Sequence, residues 1–437
     1  MATLAFASSA ATAAMAAASS LAHPSTRPRQ SLARATVTRS KKYVNLSSNR
    51  TRRYSRGNST GGRCVAVASM DMEVPNEEAT VKTVEVDDEE LCFPFTRIAG
   101  QEEMKRALLL NIVDPRIGGV LITGDRGTGK STVVRSLSDL LPDITTVKGD
   151  MFNSDPDDSR VMGPEALATL QSGGKFETEE IKVPLVELPL GATEDRICGT
   201  IDIEKALTEG RKSFEPGLLA TANRGILYID EVNLLEDHLV DVVLDSAASG
   251  WNTVEREGIS IGHPARFILV GSANNEEGEM RPQLLDRFGM MVTVRTIVDA
   301  DVRTAMVMDR IAFEKDKKAY REHEMTEINA LREKLDAAKA RLSKVVLPRE
   351  MAVKISDMCS QLNVDGLRGD ITLNRACKAV AALDNVPEVT PEIIANTALP
   401  VLRHRLKKDP MDPIGEAGSD LRIIKVFTKV FGKIEED

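Results

Sequence analysis

Short apolar segments alternate with amphipathic segments between about residues 91 and 300. Three of the apolar segments have the length of buried strands: 119–123, 225–229 and 266–270. Helical patterns follow at 131–141 and 237–248. Strands that are apolar along their whole length are typical of a parallel sheet covered by helices on both faces. The pattern therefore predicts an α/β fold, a three-layer α/β/α sandwich with a parallel sheet, whose ligands bind beyond the carboxyl ends of the strands.

Strand patterns almost disappear after the α/β segment. Charged residues alternate at helical spacing over 313–343. One face of this stretch carries four apolar residues, Leu331, Leu335, Ala338 and Leu342. Two heptads are too few to indicate a coiled coil, so the segment 301–346 is predicted as one long connecting helix that packs against its own domain. Amphipathic patterns over 347–437 predict an all-α lid domain after the α/β domain at 91–300.

The N-terminal segment, residues 1–64, has no apolar periodicity that could form a core. Residues 1–70 contain eleven Arg and Lys but no Asp or Glu, and they are rich in Ser and Thr. This composition is typical of an organelle transit peptide, and the small hydroxylated residues after Ala2 favour a plastid one. A disordered basic tail is the alternative. Residues 65–90 are predicted to form an acidic linker.

Composition disfavours several classes of protein. No stretch reaches the roughly 18 apolar residues of a membrane span. After residue 70 the chain has 46 bases against 66 acids, whereas nucleic-acid motors usually present a basic surface. The five cysteines lack CxxC spacing, and the five histidines form no HExxH motif. A membrane protein, a disulfide scaffold and a His/Cys metalloenzyme are therefore disfavoured.

A phosphate-binding loop follows the first predicted strand and opens a predicted helix. Its residues fit GxxxxGK[ST]: Gly124, Asp125, Arg126, Gly127, Thr128, Gly129, Lys130 and Ser131. The glycines let backbone N–H groups approach phosphate oxygens. Lys130 is predicted to reach the β- and γ-phosphates, and Ser131 Oγ to ligate the Mg²⁺ that bridges them. The motif and its context predict binding of ATP and Mg²⁺.

Two adjacent acids, Asp230 and Glu231, end the second predicted strand. Adjacent acids are costly to desolvate without a cation, so Asp230 is predicted to hold the Mg²⁺. Glu231 is predicted to act as general base for the attacking water. The alternative for the pair is a strand end with a helix-capping acid.

Three further residues are candidates for the same chemistry. Asn274 follows the third predicted strand and can orient the water or the γ-phosphate, although Asn also forms turns. Arg287 could complete the site of a neighbouring copy by neutralising transition-state charge. Arg368, in the predicted lid, could reach back to the γ-phosphate.

Taken together, these features resemble an AAA+ ATPase, and more narrowly the family of magnesium chelatase I subunits. The resemblance covers roughly residues 92–410 and is most specific over four stretches: 190–196, 199–207, 223–235 and 245–252. It implies an insertion at about 186–215 and a hairpin at about 252–264 that acts on a partner. It also places Asp286, beside Arg287, at a subunit interface.

The resemblance implies a function as well. Members of the family form homo-oligomeric rings, usually hexamers, and associate with a D subunit. They drive insertion of Mg²⁺ into protoporphyrin IX on a porphyrin-binding H subunit, in chlorophyll biosynthesis. The predicted leader and the acidic body agree with a chloroplast stromal location. The small number of aromatic residues, with one Trp and four Tyr, disfavours a porphyrin site on this chain itself, and no nucleic acid is expected as a partner.

The sequence also departs from the family pattern. The family usually has Gly and Pro on either side of the sensor Asn, where this chain has Ala273 and Asn275. Met290–Val292 is less polar than expected. A regulatory paralogue with weak activity is therefore an alternative, and a DNA motor of the same clade is a further one. Cys359 and Cys377 flank the loop that carries Arg368, where either a regulatory disulfide or reduced buried thiols would fit.

Overall fold

The computed structural model describes residues 91–202, 213–256, 259–274, 276–278, 280–407 and 416–432. The predicted transit peptide and acidic linker lie outside these residues, as does Asn275. No helix in the described ranges is long and apolar enough to cross a membrane.

Five parallel strands form the central sheet, in the order β11-β1-β10-β7-β4. In chain order the strands are β1 Val120–Gly124, β2 Ile144–Val147, β3 Thr178–Ile181, β4 Leu185–Leu188, β5 Gly199–Asp202, β6 Ser213–Pro216, β7 Ile226–Ile229, β8 Trp251–Arg256, β9 Ile259–Pro264, β10 Ile268–Ala273 and β11 Met290–Val294. The three predicted strands are β1, β7 and β10, and all their residues are buried. The remaining strands pair as three antiparallel two-stranded sheets, β2–β3, β5–β6 and β8–β9.

Helices cover both faces of the sheet. They are α1 Glu102–Val113, α2 Lys130–Leu137, α3 Pro164–Gln171, α4 Glu194–Cys198, α5 Leu218–Thr221, α6 Asp237–Ser249, α7 Pro282–Arg287, α8 Ala300–Lys315, α9 Lys317–Leu342, α10 Arg349–Gln361, α11 Arg368–Leu383, α12 Pro391–Leu402 and α13 Glu416–Phe431. Alternate residues of β1 enter different cores: Val120 and Ile122 pack in one with α1, and Leu121 packs in the other with α6. The predicted three-layer sandwich is therefore confirmed.

The lid consists of α10 to α13, and its core is continuous with that of the face that carries α1. The all-α lid predicted from the sequence is confirmed. Buried Leu335 and Ala338 in α9 join the same core, with Leu331 and Leu342 partly buried beside them. The apolar face predicted for this helix therefore packs against its own domain.

Two details differ from the sequence prediction. The segment predicted as one connecting helix is two helices, because Asp316 has an extended backbone and its side chain accepts a hydrogen bond from Ala319 N. This N-cap starts α9 afresh after α8. The predicted insertion at about 186–215 also begins too early, since Leu185–Leu188 is β4 of the central sheet.

Replacement of Leu335 by Ala tests how much the connecting helix contributes to stability. Leu335 is fully buried, so its truncation removes apolar contacts and leaves a cavity. We expect the free energy of unfolding to fall by about 2–5 kcal/mol. Urea unfolding followed by circular dichroism measures it, with exposed Lys334→Ala as the matched control. Equal stability of the two variants would contradict the packing described here.

Candidate active site

The phosphate-binding loop runs from the end of β1 into the first turn of α2. Gly124 has φ 133°, and a Cβ there would lie 1.9 Å from Val294 O, so only glycine fits. Lys130 Nζ donates to Gly124 O at 2.7 Å and to Ala273 O at 3.3 Å. The lysine is thus held by carbonyl groups at the carboxyl ends of two adjacent strands, β1 and β10. It lies where the sequence predicted a phosphate-binding cation.

Burial and the neighbouring charges shift the pKa of Lys130 in opposite directions, and burial outweighs the charges. Burial lowers the pKa of Lys130, while the nearby carboxylates of Asp230 and Asp125 raise it. Asp125 accepts hydrogen bonds from Thr296 N at 3.1 Å and Thr296 Oγ1 at 2.7 Å, and these bonds lower its pKa. Asp125 therefore fastens the loop to the segment after β11.

Two further contacts fix the phosphate-binding loop within the chain. The Arg126 guanidinium forms an ion pair with Glu277, which lies shortly after β10. Gln101 Nε2 donates to Thr128 O at 2.6 Å, which fixes the loop to the residue before α1. The side chains of Asp125 and Arg126 therefore bond within the chain and shape the loop.

Asp230 lies at the carboxyl end of β7 in a short hydrogen-bond network. Tyr228 OH donates to Asp230 Oδ1 at 2.8 Å and lies 3.3 Å from Ser131 Oγ. Burial raises the pKa of Tyr228 to about 12, so the phenol keeps its proton and remains a donor. Ser272 Oγ also donates to Asp230 Oδ1. The network brings together Ser131 and Asp230, the two residues predicted to hold Mg²⁺.

Glu231 has a left-handed backbone, with φ 54° and ψ 56°. This conformation is uncommon for a residue other than glycine and is often found at functional sites. Glu231 N donates to Ser272 Oγ at 3.0 Å, so one serine fixes both acids. The alternative that Glu231 caps a helix by its side chain is wrong, because no side-chain capping bond is present.

Asn274 follows β10 and is buried at 4% exposure. Its Oδ1 accepts from Glu276 N at 3.2 Å, and its carbonyl accepts from Asn233 Nδ2 at 3.3 Å. Its Nδ2 has no partner. The residue therefore forms a turn with one side of its amide and leaves a buried donor at the edge of the sheet.

Four buried polar atoms without a partner belong to residues of this region: Gln101 Oε1, Asn233 Oδ1, Asn274 Nδ2 and Glu277 Oε2. An unmatched buried group costs about 1–3 kcal/mol, so a ligand that matches these atoms is stabilised by them. One donor suits a phosphate oxygen, and three acceptors suit water or an amino group. The described residues contain no cluster of three His, Cys, Asp or Glu that could hold a metal alone. Mg²⁺ bound through one carboxylate and substrate phosphates fits this arrangement.

Arg287 and Arg368 lie near the amino ends of the sheet strands, whereas the phosphate-binding loop lies at the carboxyl ends. Arg287 pairs with Asp245 at 2.6 Å and Asp241 at 3.1 Å, on α6. Both arginines line a cleft of about 1130 Å³, together with Gly118, Gly225 and Phe267, which precede the amino ends of β1, β7 and β10. The phosphate-binding loop follows the carboxyl end of β1, so one chain does not bring these arginines to its own loop.

In this structure Arg368 lies away from the phosphate-binding loop of its own chain and pairs with Asp286. Arg368 donates to Asp286 Oδ2 at 3.1 Å, and buried Arg405 donates to Asp286 Oδ1 at 3.2 Å. Arg405 also donates to Phe288 O and Gly289 O, just before the amino end of β11. These bonds hold the lid across the amino ends of the strands.

The cysteines in the described residues form no disulfide. Cys198, Cys359 and Cys377 are buried free thiols. Burial raises the pKa of Cys198 to about 11 and that of Cys359 and Cys377 to about 12. The thiolate, which is the reactive form, is therefore disfavoured at all three positions.

Sequence reasoning missed five residues that shape the site: Gln101, Tyr228, Ser272, Asn233 and Glu277. Two of them carried a usable signal, because Tyr228 and Ser272 are polar residues inside apolar strands next to predicted site residues. Gln101, Asn233 and Glu277 join the site only through contacts across the fold.

Comparison with known proteins places this geometry in a family. The family described as "Magnesium chelatase, subunit ChlI" matches residues 200–282, and the "AAA lid domain" matches residues 353–424. The chloroplastic magnesium-chelatase subunit ChlI of Oryza sativa subsp. indica is 61% identical over 339 residues, 78% of this chain and 81% of that protein. ChlI-1 of Arabidopsis thaliana is 60% identical, covering 78% and 79% of the two chains.

Two further matches have different coverage. ChlI of Trieres chinensis is 60% identical over 344 residues, 79% of this chain and 96% of that protein. A chain from a complex between subunits BchI and BchD of magnesium chelatase is 47% identical, covering 73% of this chain and 98% of that one, with a TM-score of 0.45. That superposition adds no argument to the sequence relatives. On the strength of those relatives, this chain belongs to the ChlI family of magnesium-chelatase subunits.

Proposed function

We propose that this chain is the ATPase motor subunit of magnesium chelatase, which couples ATP hydrolysis to Mg²⁺ insertion into protoporphyrin IX in chlorophyll biosynthesis. One observation carries the proposal. In a chain of this family, Lys130, Ser131, Asp230, Glu231 and Asn274 meet at the carboxyl edge of one sheet.

Each residue has a distinct part in hydrolysis. Lys130 binds the β- and γ-phosphates, and Ser131 and Asp230 hold the nucleotide's Mg²⁺, which neutralises charge on the phosphates when bound. Glu231 accepts a proton from the attacking water, whose oxygen forms the new bond to the γ-phosphorus as the bond to the β,γ-bridging oxygen breaks. Asn274 Nδ2 donates to a γ-phosphate oxygen or to that water. The Mg²⁺ inserted into the porphyrin is a separate ion and a substrate.

The position of the arginines supports assembly into a ring. Arg287 and Arg368 lie at the edge opposite the phosphate-binding loop, so a second copy can present them to the ATP of its neighbour. Such head-to-tail contacts close into rings when the rotation allows it, and the family resemblance favours a hexamer. We propose that the ring acts with a D subunit and a porphyrin-binding H subunit in the chloroplast stroma. The acidic body does not favour nucleic acid as a partner.

Replacement of Glu231 by Gln tests the motor proposal directly. The chain is mixed with the D and H subunits, ATP, Mg²⁺ and protoporphyrin IX, and product is followed by fluorescence. We expect the variant to bind ATP but to lose roughly 100-fold or more of its hydrolysis, with product formation falling in parallel.

Wild-type hydrolysis without product would instead favour the regulatory paralogue. Absence of both activities in the wild type would contradict the proposal. Arg349→Gln, a change on the surface of the lid, serves as a charge-loss control and is expected to leave hydrolysis unchanged.

Mixing two inactive variants tests whether the site is shared between copies. Lys130→Ala lacks its own phosphate contact, and Arg287→Ala lacks the contact offered to a neighbour. In a random equal mixture about a quarter of the interfaces combine an intact loop with an intact arginine. We expect ATP hydrolysis to recover in the mixture to about that share, while each variant alone stays inactive. A mixture as inactive as its components would place Arg287 outside the composite site.

Replacement of Tyr228 by Phe tests the magnesium contact. The variant removes a donor to Asp230 and should loosen the carboxylate that holds Mg²⁺. We expect the Mg²⁺ concentration for half-maximal ATP hydrolysis to rise about tenfold, with a smaller change in maximal rate. Tyr320→Phe, in an aromatic cluster beside α8 and α9, is the matched control. An unchanged Mg²⁺ requirement would contradict the network described above.

A further inference from the structure

Three aspartates lie on one face of α6, on successive turns of the helix. They are Asp237, Asp241 and Asp245, and their i, i+4, i+8 spacing places them in one line. Asp237 Oδ2 lies 2.5 Å from Arg281 Nη2, just before α7. Arg287, at the end of α7, pairs with the other two aspartates. This aspartate row therefore runs beside α7 and bonds to both of its ends.

The bonds from the Arg287 guanidinium all go through one nitrogen atom. Nη1 donates to Asp245 Oδ1 at 2.6 Å and to Asp241 O at 3.3 Å, and it lies 3.1 Å from Asp241 Oδ1. Within the part of the chain that the structure describes, Nε and Nη2 of Arg287 have no such bond. A guanidinium is a planar fork that can bind two phosphate oxygens at once. The aspartates thus leave the Nε and Nη2 side open to an anion from outside the chain.

The surroundings of Arg287 favour such an anion. Arg287 and Asp245 both line the cleft near the amino ends of the strands, whose described lining has eight Arg and one Lys against four Asp. The chain after residue 70 has the opposite balance, with 46 bases against 66 acids. A cleft lined by an excess of one charge attracts ligands of the other. The triphosphate of an ATP held by a neighbouring copy has the required charge.

The ion pairs with Arg287 contribute little to the stability of the fold. The side chains of Asp241 and Asp245 are 47% and 70% exposed, and ion pairs at such exposure are weak. Their main effect is on the conformation of Arg287, because a long side chain loses rotamer freedom when it binds a ligand. An arginine that is already held in one orientation avoids much of that cost on binding.

From this geometry we infer that Asp241 and Asp245 are positioning residues, which orient Arg287 for the ATP bound by a neighbouring copy. The inference rests on the proposed function, because it needs a site shared between copies. Neither aspartate touches the substrate, and both act through Arg287. The oriented Nε and Nη2 side then neutralises charge that develops on the γ-phosphate in the transition state.

Alanine replacements along the aspartate row, made in the full chain, test the inference. The double variant Asp241→Ala/Asp245→Ala releases Nη1 of Arg287. Asp237→Ala breaks the ion pair at the other end of α7 and is the matched control. Alanine favours helix, so α6 is expected to form in both variants.

We expect the double variant to lose about tenfold in kcat for ATP hydrolysis, while KM for ATP stays within about twofold. The reason is that the arginine acts on the transition state more than on bound ATP. Asp237→Ala should stay within about twofold of wild type in both constants, whereas a row that only fastened α7 would make the two variants equally defective.

Mixing with a second variant shows on which side of the interface the defect lies. The double variant keeps its own phosphate-binding loop, so an intact Arg287 from Lys130→Ala can complete its site. In an equal random mixture about a quarter of the interfaces combine these two intact parts, and we expect about that share of wild-type hydrolysis. Arg287→Ala supplies no arginine, so its mixture with the double variant should show no gain.

Wild-type kcat in the double variant, an equal loss in Asp237→Ala, or recovery with Arg287→Ala in place of Lys130→Ala would each overturn the inference. The mixture of Lys130→Ala with Arg287→Ala is the reference for the shared site. If the reference stays inactive, the shared site fails and the inference fails with it. If the reference recovers and the double variant does not recover with Lys130→Ala, only the inference fails. Should the double variant not fold, Asp245→Ala alone decides the question, since Asp245 accepts the shortest bond from Arg287.

Discussion

The candidate active site depends on the parallel pairing of β10 between β1 and β7. Thr123 is level with Ala273, and Gly271 is level with Ile229. This register brings the loop after β1, the sensor Asn after β10 and the two acids after β7 to one edge. Ser272 then joins strands by bonding to both acids, and Lys130 bonds to carbonyl groups of β1 and β10. A shift of β10 by one residue would separate Ser272 from the two acids and Lys130 from Ala273 O.

The same edge holds the groups that folding alone leaves unsatisfied. Glu231 adopts a left-handed backbone, and Asn274 Nδ2, Asn233 Oδ1 and Glu277 Oε2 are buried without partners. Each is unfavourable in isolation and persists because the surrounding sheet and loops hold it in place. Groups of this kind are matched by a bound nucleotide, its metal and a water molecule. The free energy lost by leaving these groups unpaired in the folded chain is thus connected with the proposed binding of a nucleotide.

The lid holds Asp286 and the arginines bonded to it at the amino ends of the strands, whereas the phosphate-binding loop lies at the carboxyl ends. Asp286 forms ion pairs with Arg405 and Arg368 of the lid. Arg287, beside Asp286, forms an ion pair with Asp245 on α6. The arginines are thereby kept at the amino ends of the strands, away from the loop of their own chain. In the proposed ring, each chain would offer part of a composite site at each end of the sheet, and a second copy would complete it.

Much of the fold and part of the site follow from local patterns in the sequence. The buried strands, the helical lid, the loop Gly124–Ser131 and the acids Asp230 and Glu231 are recognisable because periodicity and glycine spacing are local properties. The break at Asp316 was missed because one capping bond outweighed a continuous helical pattern. Strand β4 was assigned to the insertion because its pairing with β7 is visible only in the sheet.

What the tertiary structure alone decided is which residues meet. Gln101, Asn233, Ser272 and Glu277 enter the site through contacts between segments far apart in the chain. Arg368 pairs with Asp286 in the same way, away from the loop of its own chain. Residue types and spacing determined the chemistry that this protein can perform. The packing of the lid and the register of the sheet decided where each group acts, because those distances depend on the free energy of the whole fold.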